Sequence, residues 1–592
     1  MSSDTGHRIL HARGHLVAGL ALCALIAAAR AGAAETAACP SPEVVRAAAN
    51  AAREAVVVDG PDAAARIEAA SSLVAVLPDA APDRLAIELH LLRTRMLAFE
   101  RAKSPGPVDA AAPSEASAAA REPTLEPAFA RLAEAARRRG EPGIRAFALV
   151  YGAELARARG DHGRADVLLD EARLVPESDA TWEAQVAAEV LRARDRSEDE
   201  AIRSLSRARR ILARVRPRLE QTDFLARARL VHERLAGLLL ARSGRVPASA
   251  TATEADAVER DLREALGILE ELKLAELRAY FGDACLADLA TTTPERMPGT
   301  VLLYPVVLED RVELIVGASG RLARRVAPIT PEALALEIAR LRGGLQDPTS
   351  PRHRAAAARL HAALIAPIAG VREALGAGRE AGEAETLVVV PSGGLRSIPF
   401  AALLDEQTGR YLIEDVAVVT LPSLQLLPAA TLDGRRTRLL AAGLTEAVED
   451  FSPLPFAARE LDAAASRFPS MRRVDAAFTK SAFAAALESE PFDVVHVASH
   501  GRFDARASES FVLAHDGRIG FAELGEWIGQ TRPRTGRPLE LLVLSACETA
   551  LGDERAALGL AGVAVQAGAR SAVASLWKVH DEATMELFAT QG

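Results

Sequence analysis

Two apolar runs of the sequence end in residues that can carry nucleophilic chemistry. VVHVAS leads into His500 and Gly501, and LLVLSA leads into Cys547. A thiol becomes a strong nucleophile once a neighbouring imidazole takes its proton, and two converging N–H groups can hold the oxyanion of a tetrahedral acyl intermediate. The pattern predicts His500 as general base and Cys547 as nucleophile. The N–H groups of Gly501 and Cys547 are the predicted oxyanion donors.

Each of these residues also has an ordinary structural interpretation. A lone cysteine after an apolar strand is more often an inert core residue, and a His-Gly pair is more often a turn. His496 lies four residues before His500 in the same run, so both side chains point to one face of a strand. We interpret His496 as a structural neighbour rather than a catalytic group.

The elements that must position these residues are four apolar runs, each of which leads into an unusual loop. They are ETLVVV before PSGG, FDVVHVAS before HG, LELLVLSA before CET, and RSAVASLW before KVHD. Continuous apolar runs are typical of strands buried on both faces of a largely parallel sheet. With helical segments between several of them, this half is predicted to be an α/β sandwich. Ligands bind beyond the carboxyl ends of such strands, so one crevice could receive both His500 and Cys547.

Other elements of this half can also be predicted. TVLLYPVVLE and VELIVGAS predict a hairpin-like pair around Asp310 and Arg311, followed by amphipathic helices at about 330–345 and 352–376. PSGGLRSIPF lacks the G-K-[ST] ending of a phosphate-binding loop, which disfavours a nucleotide-binding protein. We interpret this segment as a turn that shapes the sheet.

The preceding half, about 41–290, shows helical periodicity with small residues at recurring positions. Small residues let antiparallel helices approach closely, and a larger residue fills the gap between them. Three segments share this arrangement: Ala63, Ile67 and Ala70; Ala165, Leu169 and Ala172; and Ala201, Leu205 and Ala208. The pattern resembles tetratricopeptide repeats, whose turns often read Gly-Asp as Gly160 and Asp161 do here. An irregular α-solenoid is the alternative.

Breaks in composition indicate where the domains end. The Pro/Ala/Ser-rich stretch at about 104–123 predicts a disordered linker within the helical region. TTTPERMPG, residues 291–299, combines two prolines with a glycine, and the composition changes after it. We therefore place a helical domain at 41–290 and an α/β domain at 300–592.

Bulk composition excludes several classes of partner. A chain of 592 residues is expected to form two to four domains, and a net charge of −9 without a long basic stretch disfavours nucleic acid. The cysteines are Cys23, Cys39, Cys285 and Cys547, and no C-x-x-C pair occurs, so we predict no metal and no cofactor. Whether Cys39 and Cys285 pair is left open.

The first 34 residues have the features of an export signal. Arg8 and Arg13 precede the apolar run 16–29, and Ala31-Gly32-Ala33 supplies small residues for cleavage. The run is short for a membrane span, so no stable span is predicted. We expect an exported protein, periplasmic or secreted, or a cytoplasmic one if this segment is not cleaved. An alanine-rich disordered terminus is the alternative, and a lipid anchor at Cys23 is a minor one.

Residues 300–592 resemble a CHAT domain, a caspase-like domain commonly found with tetratricopeptide repeats in bacteria and related to caspases, gingipains and separase. The segments that carry the resemblance are PSGGLRSIPFAAL, HVASHG, VLSACETALG and GLAGVAVQAGARSAVASLWKVHD. The family's H-x3-HG motif maps to His496, His500 and Gly501, and its SAC motif maps to Ser545, Ala546 and Cys547. The resemblance implies a caspase-like α/β sandwich with a His500–Cys547 dyad.

The resemblance also implies a substrate pocket near SLWKVHD. Trp577 would form its wall, and Asp581 would supply a charge suited to arginine or lysine. The alternative is that Asp581 caps the helix that begins DEATMELF. The chain stops at Gly592, whereas CHAT domains generally continue for another helix or more, so the resemblance implies a domain shortened at its end.

Two functions follow from these observations. The first is a cysteine endopeptidase that acts on a protein or peptide substrate, with the helical repeats binding a protein partner or controlling access. The second is a non-catalytic scaffold in which both parts serve binding. The presence of both His500 and Cys547 favours the enzyme. The shortened end of the domain favours the scaffold, and so does export, because an oxidising compartment works against a free thiol.

Overall fold

The structure is a computed structural model, and its described residues form two compact units that divide after residue 219. It describes residues 41–57, 63–78, 81, 83–103, 125–215, 222–245, 251–281, 293–347, 351–369, 386–425, 437–502, 509–529, 539–546, 569–575 and 581–591. The predicted export signal, the linker at 104–123, and Cys23, Cys39 and Cys285 lie outside these residues.

The described part of the first unit consists of eight helices. They are α1 (Pro42–Val57), α2 (Ala63–Val76), α3 (Arg84–Lys103), α4 (Leu125–Arg139), α5 (Pro142–Ala158), α6 (His162–Arg173), α7 (Trp182–Ala193) and α8 (Glu198–Val215). The nine small and large residues at recurring positions in α2, α6 and α8 are all buried. The predicted apolar faces are therefore confirmed, while assignment to tetratricopeptide repeats stays a prediction.

The turn between α5 and α6 shows why the chain reverses there. Gly160 has a φ of 83°, in the left-handed region that favours glycine. Asp161 then caps α6, because its carboxylate accepts a hydrogen bond of 2.9 Å from the Arg164 N–H.

The second unit begins with two long helices, α9 (Thr222–Ser243) and α10 (Ala252–Phe281), followed by the first of its sheets. This unit therefore starts upstream of the composition change at 291–299. The sheet has the order β3-β2-β1-β4-β5. Its strands are β1 (Thr300–Val307), β2 (Val312–Ala318), β3 (Arg321–Val326), β4 (Thr386–Val389) and β5 (Ala417–Thr420).

The first sheet mixes strand directions. β2 is antiparallel to both β1 and β3, and its pairing with β1 confirms the predicted hairpin. β4 pairs with β1 in parallel, and β5 pairs with β4 in parallel. The helix α11 (Pro331–Leu345) agrees with its prediction, but α12 (Arg352–Leu364) ends earlier than the predicted residue 376. The chain passes into a short 3-10 turn at Ala366–Ile368, where Pro367 has no N–H to continue the helix.

The second sheet is wholly parallel, with the order β7-β6-β8-β12-β13. Its strands are β6 (Leu439–Gly443), β7 (Ser470–Val474), β8 (Val494–Ser499), β12 (Leu539–Ala546) and β13 (Ala569–Ala574). Separate apolar clusters cover its two faces, one containing Leu440 and Val495, the other Leu439 and Val494. This confirms the predicted α/β architecture with a mainly parallel sheet buried on both sides.

Four helices and a small sheet complete the second unit's described part. The helices are α13 (Ala457–Ala465), α14 (Lys480–Ser489), α15 (Phe521–Gly529) and α16 (Asp581–Gln591). The small antiparallel sheet follows β8 and contains β9 (Gly501–Arg502), β10 (Phe511–Ala514) and β11 (Gly517–Gly520). No helix among the described residues is long and apolar enough to cross a membrane.

Strands β6 and β8 approach each other closely at the end of β6. A Cβ atom on Gly443 would lie 2.3 Å from the Ala498 carbonyl oxygen and 2.9 Å from Leu461 Cδ1. No side chain fits there, so glycine is required for the two strands and α13 to pack together. This close packing lies at the carboxyl edge of the sheet, next to the candidate site.

Candidate active site

The order of the second sheet defines where a crevice opens. The chain goes from β6 outward to β7 and then returns past β6 to β8, so the strand order reverses between β6 and β8. Ligands of such sheets bind at the carboxyl ends of the strands on either side of this switch point. His500 directly follows β8, and the loop that contains Ser452 follows β6. Both therefore lie at the crevice.

The imidazole of His500 is held by the main chain of that loop. Its Nε2 lies 2.6 Å from the carbonyl oxygen of Ser452. A carbonyl oxygen only accepts hydrogen bonds, so we assign the proton to Nε2. In the neutral ring the lone pair then lies on Nδ1, which is the atom able to take a proton from a thiol.

An aromatic ring packs against the same histidine. The ring centroids of Phe451 and His500 are 4.9 Å apart, and their planes make an angle of 33°. Phe451 also contacts Phe511 of β10 edge-on, at 6.3 Å between centroids. These contacts restrict rotation of the imidazole and fix which nitrogen faces Ser452.

The loop that supplies the Ser452 carbonyl is itself tied down. The Leu454 N–H donates to the Thr445 carbonyl across the loop at 3.1 Å. Asp475, which follows β7, accepts from both the main-chain N–H and the hydroxyl of Thr445, each at 2.6 Å. Burial tends to raise the pKa of Asp475, but these hydrogen bonds and one from Glu446 outweigh it and lower the pKa.

The N–H of Gly501 does not take part in the ladder between β9 and β10. The Leu513 N–H donates to the His500 carbonyl at 2.8 Å, and Gly501 is the register partner of Val512. Hydrogen-bonded and non-hydrogen-bonded pairs alternate along an antiparallel ladder. The Gly501–Val512 pair is thus a non-hydrogen-bonded one, and the Gly501 N–H is directed away from β10.

Strands β8 and β12 are direct neighbours in the sheet. Their register pairs Ala546 with Ser499, and the next residues in the sequence are Cys547 and His500. Cys547 and Trp577 lie outside the described residues. The described register therefore brings together the residues that directly precede the predicted nucleophile and base.

A buried polar network connects these two strands behind the crevice. His496 of β8 contacts Glu460 of α13, with 2.6 Å between Nε2 and Oε1. The Ser545 hydroxyl of β12 donates to the other carboxylate oxygen of Glu460 at 3.1 Å. His496 and Glu460 are only 3% and 1% exposed, and polar atoms buried to this extent need hydrogen-bond partners within the protein.

Asp581 borders the same loop. It is the first residue of α16, and its Oδ2 accepts a hydrogen bond of 2.7 Å from the Phe456 N–H. Burial is the main cause that raises the pKa of Asp581, and the nearby Glu460 raises it further. The hydrogen bond from the Phe456 N–H and the proximity of His500 lower this pKa, but they do not outweigh burial. Asp581 thus lies near His500 and is bound to the loop that holds His500.

Sequence reasoning did not identify the Ser452 carbonyl or Glu460. Every residue has a main-chain carbonyl, so the residue type at position 452 gives no signal. Glu460 lies in PFAARELDAAA, which looks like an ordinary solvated helix. In the described part of the chain, no group of three His, Cys, Asp or Glu side chains could hold a metal ion.

The fold and the crevice together define a caspase-like α/β domain preceded by a helical region. Residues 354–591 match the family model of the CHAT domain. A comparison with curated proteins found no match. Residues 354–591 are therefore a CHAT domain, which is caspase-like and related to cysteine peptidases.

Proposed function

We propose that the chain is a cysteine endopeptidase of caspase-like type that hydrolyses peptide bonds with His500 and Cys547. The observation that carries the proposal is the 2.6 Å contact between His500 Nε2 and the Ser452 carbonyl. It fixes the tautomer that leaves Nδ1 free to act as a base, at the switch point of the sheet.

The proposed reaction is an acyl transfer in two stages. Nδ1 of His500 takes the proton of the Cys547 thiol, and the thiolate attacks the carbonyl carbon of the peptide bond. The N–H groups of Gly501 and Cys547 stabilise the resulting oxyanion. His500 then gives its proton to the leaving amine, and an acyl-enzyme remains. Water, deprotonated by His500, hydrolyses this thioester and regenerates the thiol.

The helical region is proposed to bind a protein partner that controls access to the crevice. Its buried small residues are typical of closely stacked helix pairs, and stacked pairs present extended surfaces to partners. Trp577 and Asp581 are retained as the proposed wall and charge of the pocket for the residue before the scissile bond. Export through residues 1–34 is likewise proposed.

The experiment that tests the peptidase is covalent labelling by a peptide electrophile, such as an acyloxymethyl ketone with arginine at its carboxyl end. Wild-type protein, His500→Ala and Cys547→Ala are compared by intact mass and by peptide mapping. We expect one adduct on Cys547 in the wild type, none in Cys547→Ala, and at least about 100-fold slower labelling in His500→Ala. Full-rate labelling of Cys547→Ala would reject the peptidase, and Cys547 labelling that ignores His500 would leave only a scaffold with an exposed thiol.

A further inference from the structure

A buried lysine in the second unit has no role in the proposed peptidase site. Lys273 of α10 is only 2% exposed, although lysines are almost never buried without an ion-pair partner. In the described part of the chain no carboxylate forms an ion pair with it; its Nζ donates to the Pro391 carbonyl instead. The sequence contains four lysines among 71 basic residues, so a buried lysine is not explained by a general preference for this cation.

The carboxylates on the same helix are already engaged elsewhere. Glu270 accepts from the Tyr304 hydroxyl at 2.9 Å, and also from the Ser423 hydroxyl and the Leu424 N–H. One oxygen of Glu276 accepts from Arg396 at 2.5 Å and the other from Arg229 at 2.7 Å. Glu276 is therefore paired with two guanidinium groups that lie near the lysine, whereas the hydrogen-bond partners of Glu270 are uncharged.

The surroundings of Lys273 favour its neutral form. Burial is the main reason why the pKa of Lys273 is lowered, and the positive charges of Arg396 and Arg229 lower it further. The negative charges of Glu270 and Glu276 oppose this change. The pKa of Lys273 falls to about 7. A neutral amine that donates one proton to a carbonyl still has its lone pair, which makes it a nucleophile near neutral pH.

Lys273 also lines a cavity of about 670 Å³. The cavity is bounded by α9, α10, α11, the end of β1 and the loop that follows β4. This volume lies in the range of small-molecule sites, roughly 300 to 1,000 Å³. Its walls combine charged side chains, among them Arg229, Glu233 and Arg342, with an aliphatic set: Leu269, Leu272, Val306, Leu334 and Ile338.

We propose that this cavity binds a small aldehyde or ketone with an apolar body, and that Lys273 forms a reversible Schiff base with its carbonyl carbon. The nitrogen lone pair attacks that carbon and a C–N bond forms. The carbonyl oxygen then leaves as water together with the two amine hydrogens, which gives the imine. The aliphatic walls select the body of the ligand, and the buried amine reacts only with a carbonyl group that the cavity has placed against it.

The test is reductive trapping with hexanal and sodium cyanoborohydride on the full chain, followed by peptide mass mapping of each lysine between pH 5.5 and 9. Lys480, whose side chain is 34% exposed, is the comparison within the same molecule. At pH 7 we expect Lys273 to be alkylated at least about ten times faster than Lys480, since burial lowers the pKa of Lys273 to about 7. The Lys273 rate should fall on acidification with a midpoint near 7. An unmodified Lys273, or one that reacts no faster than Lys480, would overturn the proposal.

A pair of variants tests whether the reaction depends on the cavity. Ala335 of α11 lines the cavity, whereas its neighbour Leu336 does not and is 50% exposed. Ala335→Trp should fill the space and reduce trapping at Lys273 at least about fivefold, without changing Lys480. Leu336→Trp should change neither rate. Equal trapping at Lys273 in both variants would show that the cavity does not deliver the ligand. Both readouts are independent of peptidase activity.

Discussion

The Nε2 of His500 donates a hydrogen bond to the main-chain carbonyl of Ser452, with 2.6 Å between the two atoms. One residue follows β8 and the other lies in the loop after β6, so the bond spans the switch point of the parallel sheet. Because the acceptor is a main-chain atom, the contact depends on the loop conformation rather than on the side chain of Ser452.

The first prediction concerns which ring nitrogen of neutral His500 carries the proton. Since a carbonyl cannot donate, neutral His500 should carry its proton on Nε2, whereas a histidine without this contact exchanges between both tautomers. Nitrogen-15 NMR of histidine-labelled protein near pH 8, with His500→Gln to assign the signal, measures this directly. A proton found mainly on Nδ1 would contradict the proposed role of that atom as the base.

Glu460 should be essential for stability at the back of the site. Glu460→Ala removes the carboxylate that His496 and the Ser545 hydroxyl contact, and the loss of a buried hydrogen-bond partner costs about 1 to 3 kcal/mol. The denaturation midpoint of the second unit should fall accordingly, measured with urea and tryptophan fluorescence. Glu582→Ala, on the exposed side of α16, is the control and should stay within about 0.5 kcal/mol of wild type. An equal, small effect of both substitutions would show that the network is not needed.

Two glycines should respond in opposite ways to the same substitution. Gly443→Ala places a Cβ 2.3 Å from the Ala498 carbonyl oxygen, and overpacking of this kind costs at least about 1 to 3 kcal/mol. Gly267 lies inside α10, and among the described residues no atom outside its own stretch of helix lies within 4 Å of the point that a Cβ would occupy. Gly267→Ala should therefore stabilise the protein by about 0.5 to 1 kcal/mol. Thermal unfolding of both variants measures the contrast, and a neutral Gly443→Ala would contradict the close approach of β6 and β8.

The two aspartates that hold the loop should give opposite pH trends. The pKa of Asp475 is lowered in the folded protein, so its contribution to stability is present above its unfolded pKa and is lost as the pH falls through the folded value. The pKa of Asp581 is raised, so its contribution is present below its unfolded pKa and is lost as the pH rises through the folded value.

Asparagine variants separate these two effects. The deficit of Asp475→Asn relative to wild type should be largest near pH 7 and should shrink on acidification, whereas Asp581→Asn should gain on wild type as the pH rises from 4 to 7. Urea midpoints at four or five pH values measure both trends. Parallel trends for the two variants would show that the loop does not place them in different environments.

Several features of the fold could be predicted from residue patterns because burial alone determines them. The apolar runs that form β8 and β12 are buried on both faces of the sheet, and the alanines and large residues of α2, α6 and α8 form the predicted buried faces. Patterns of burial are periodic, and periodicity is visible in a sequence. The His500–Cys547 dyad itself stays a prediction, as Cys547 lies outside the described residues.

The remaining features depend on contacts between residues far apart in the sequence. The bond from Glu460 to Ser545 spans 85 residues, and the one from Phe456 to Asp581 spans 125. The small sheet β9–β11 was not predicted, since its strands contain only two to four residues. Such contacts follow from the topology of the sheet, which local patterns do not specify.

The most direct test of the central claim is the pH dependence of Cys547 alkylation by iodoacetamide, measured by peptide mass mapping in wild type and His500→Ala. If His500 takes the thiol proton, the wild-type rate should remain high well below pH 8.5, the ordinary pKa of a cysteine thiol, and His500→Ala should shift the profile upward by at least about one pH unit. Superimposable profiles for the two proteins would contradict the account.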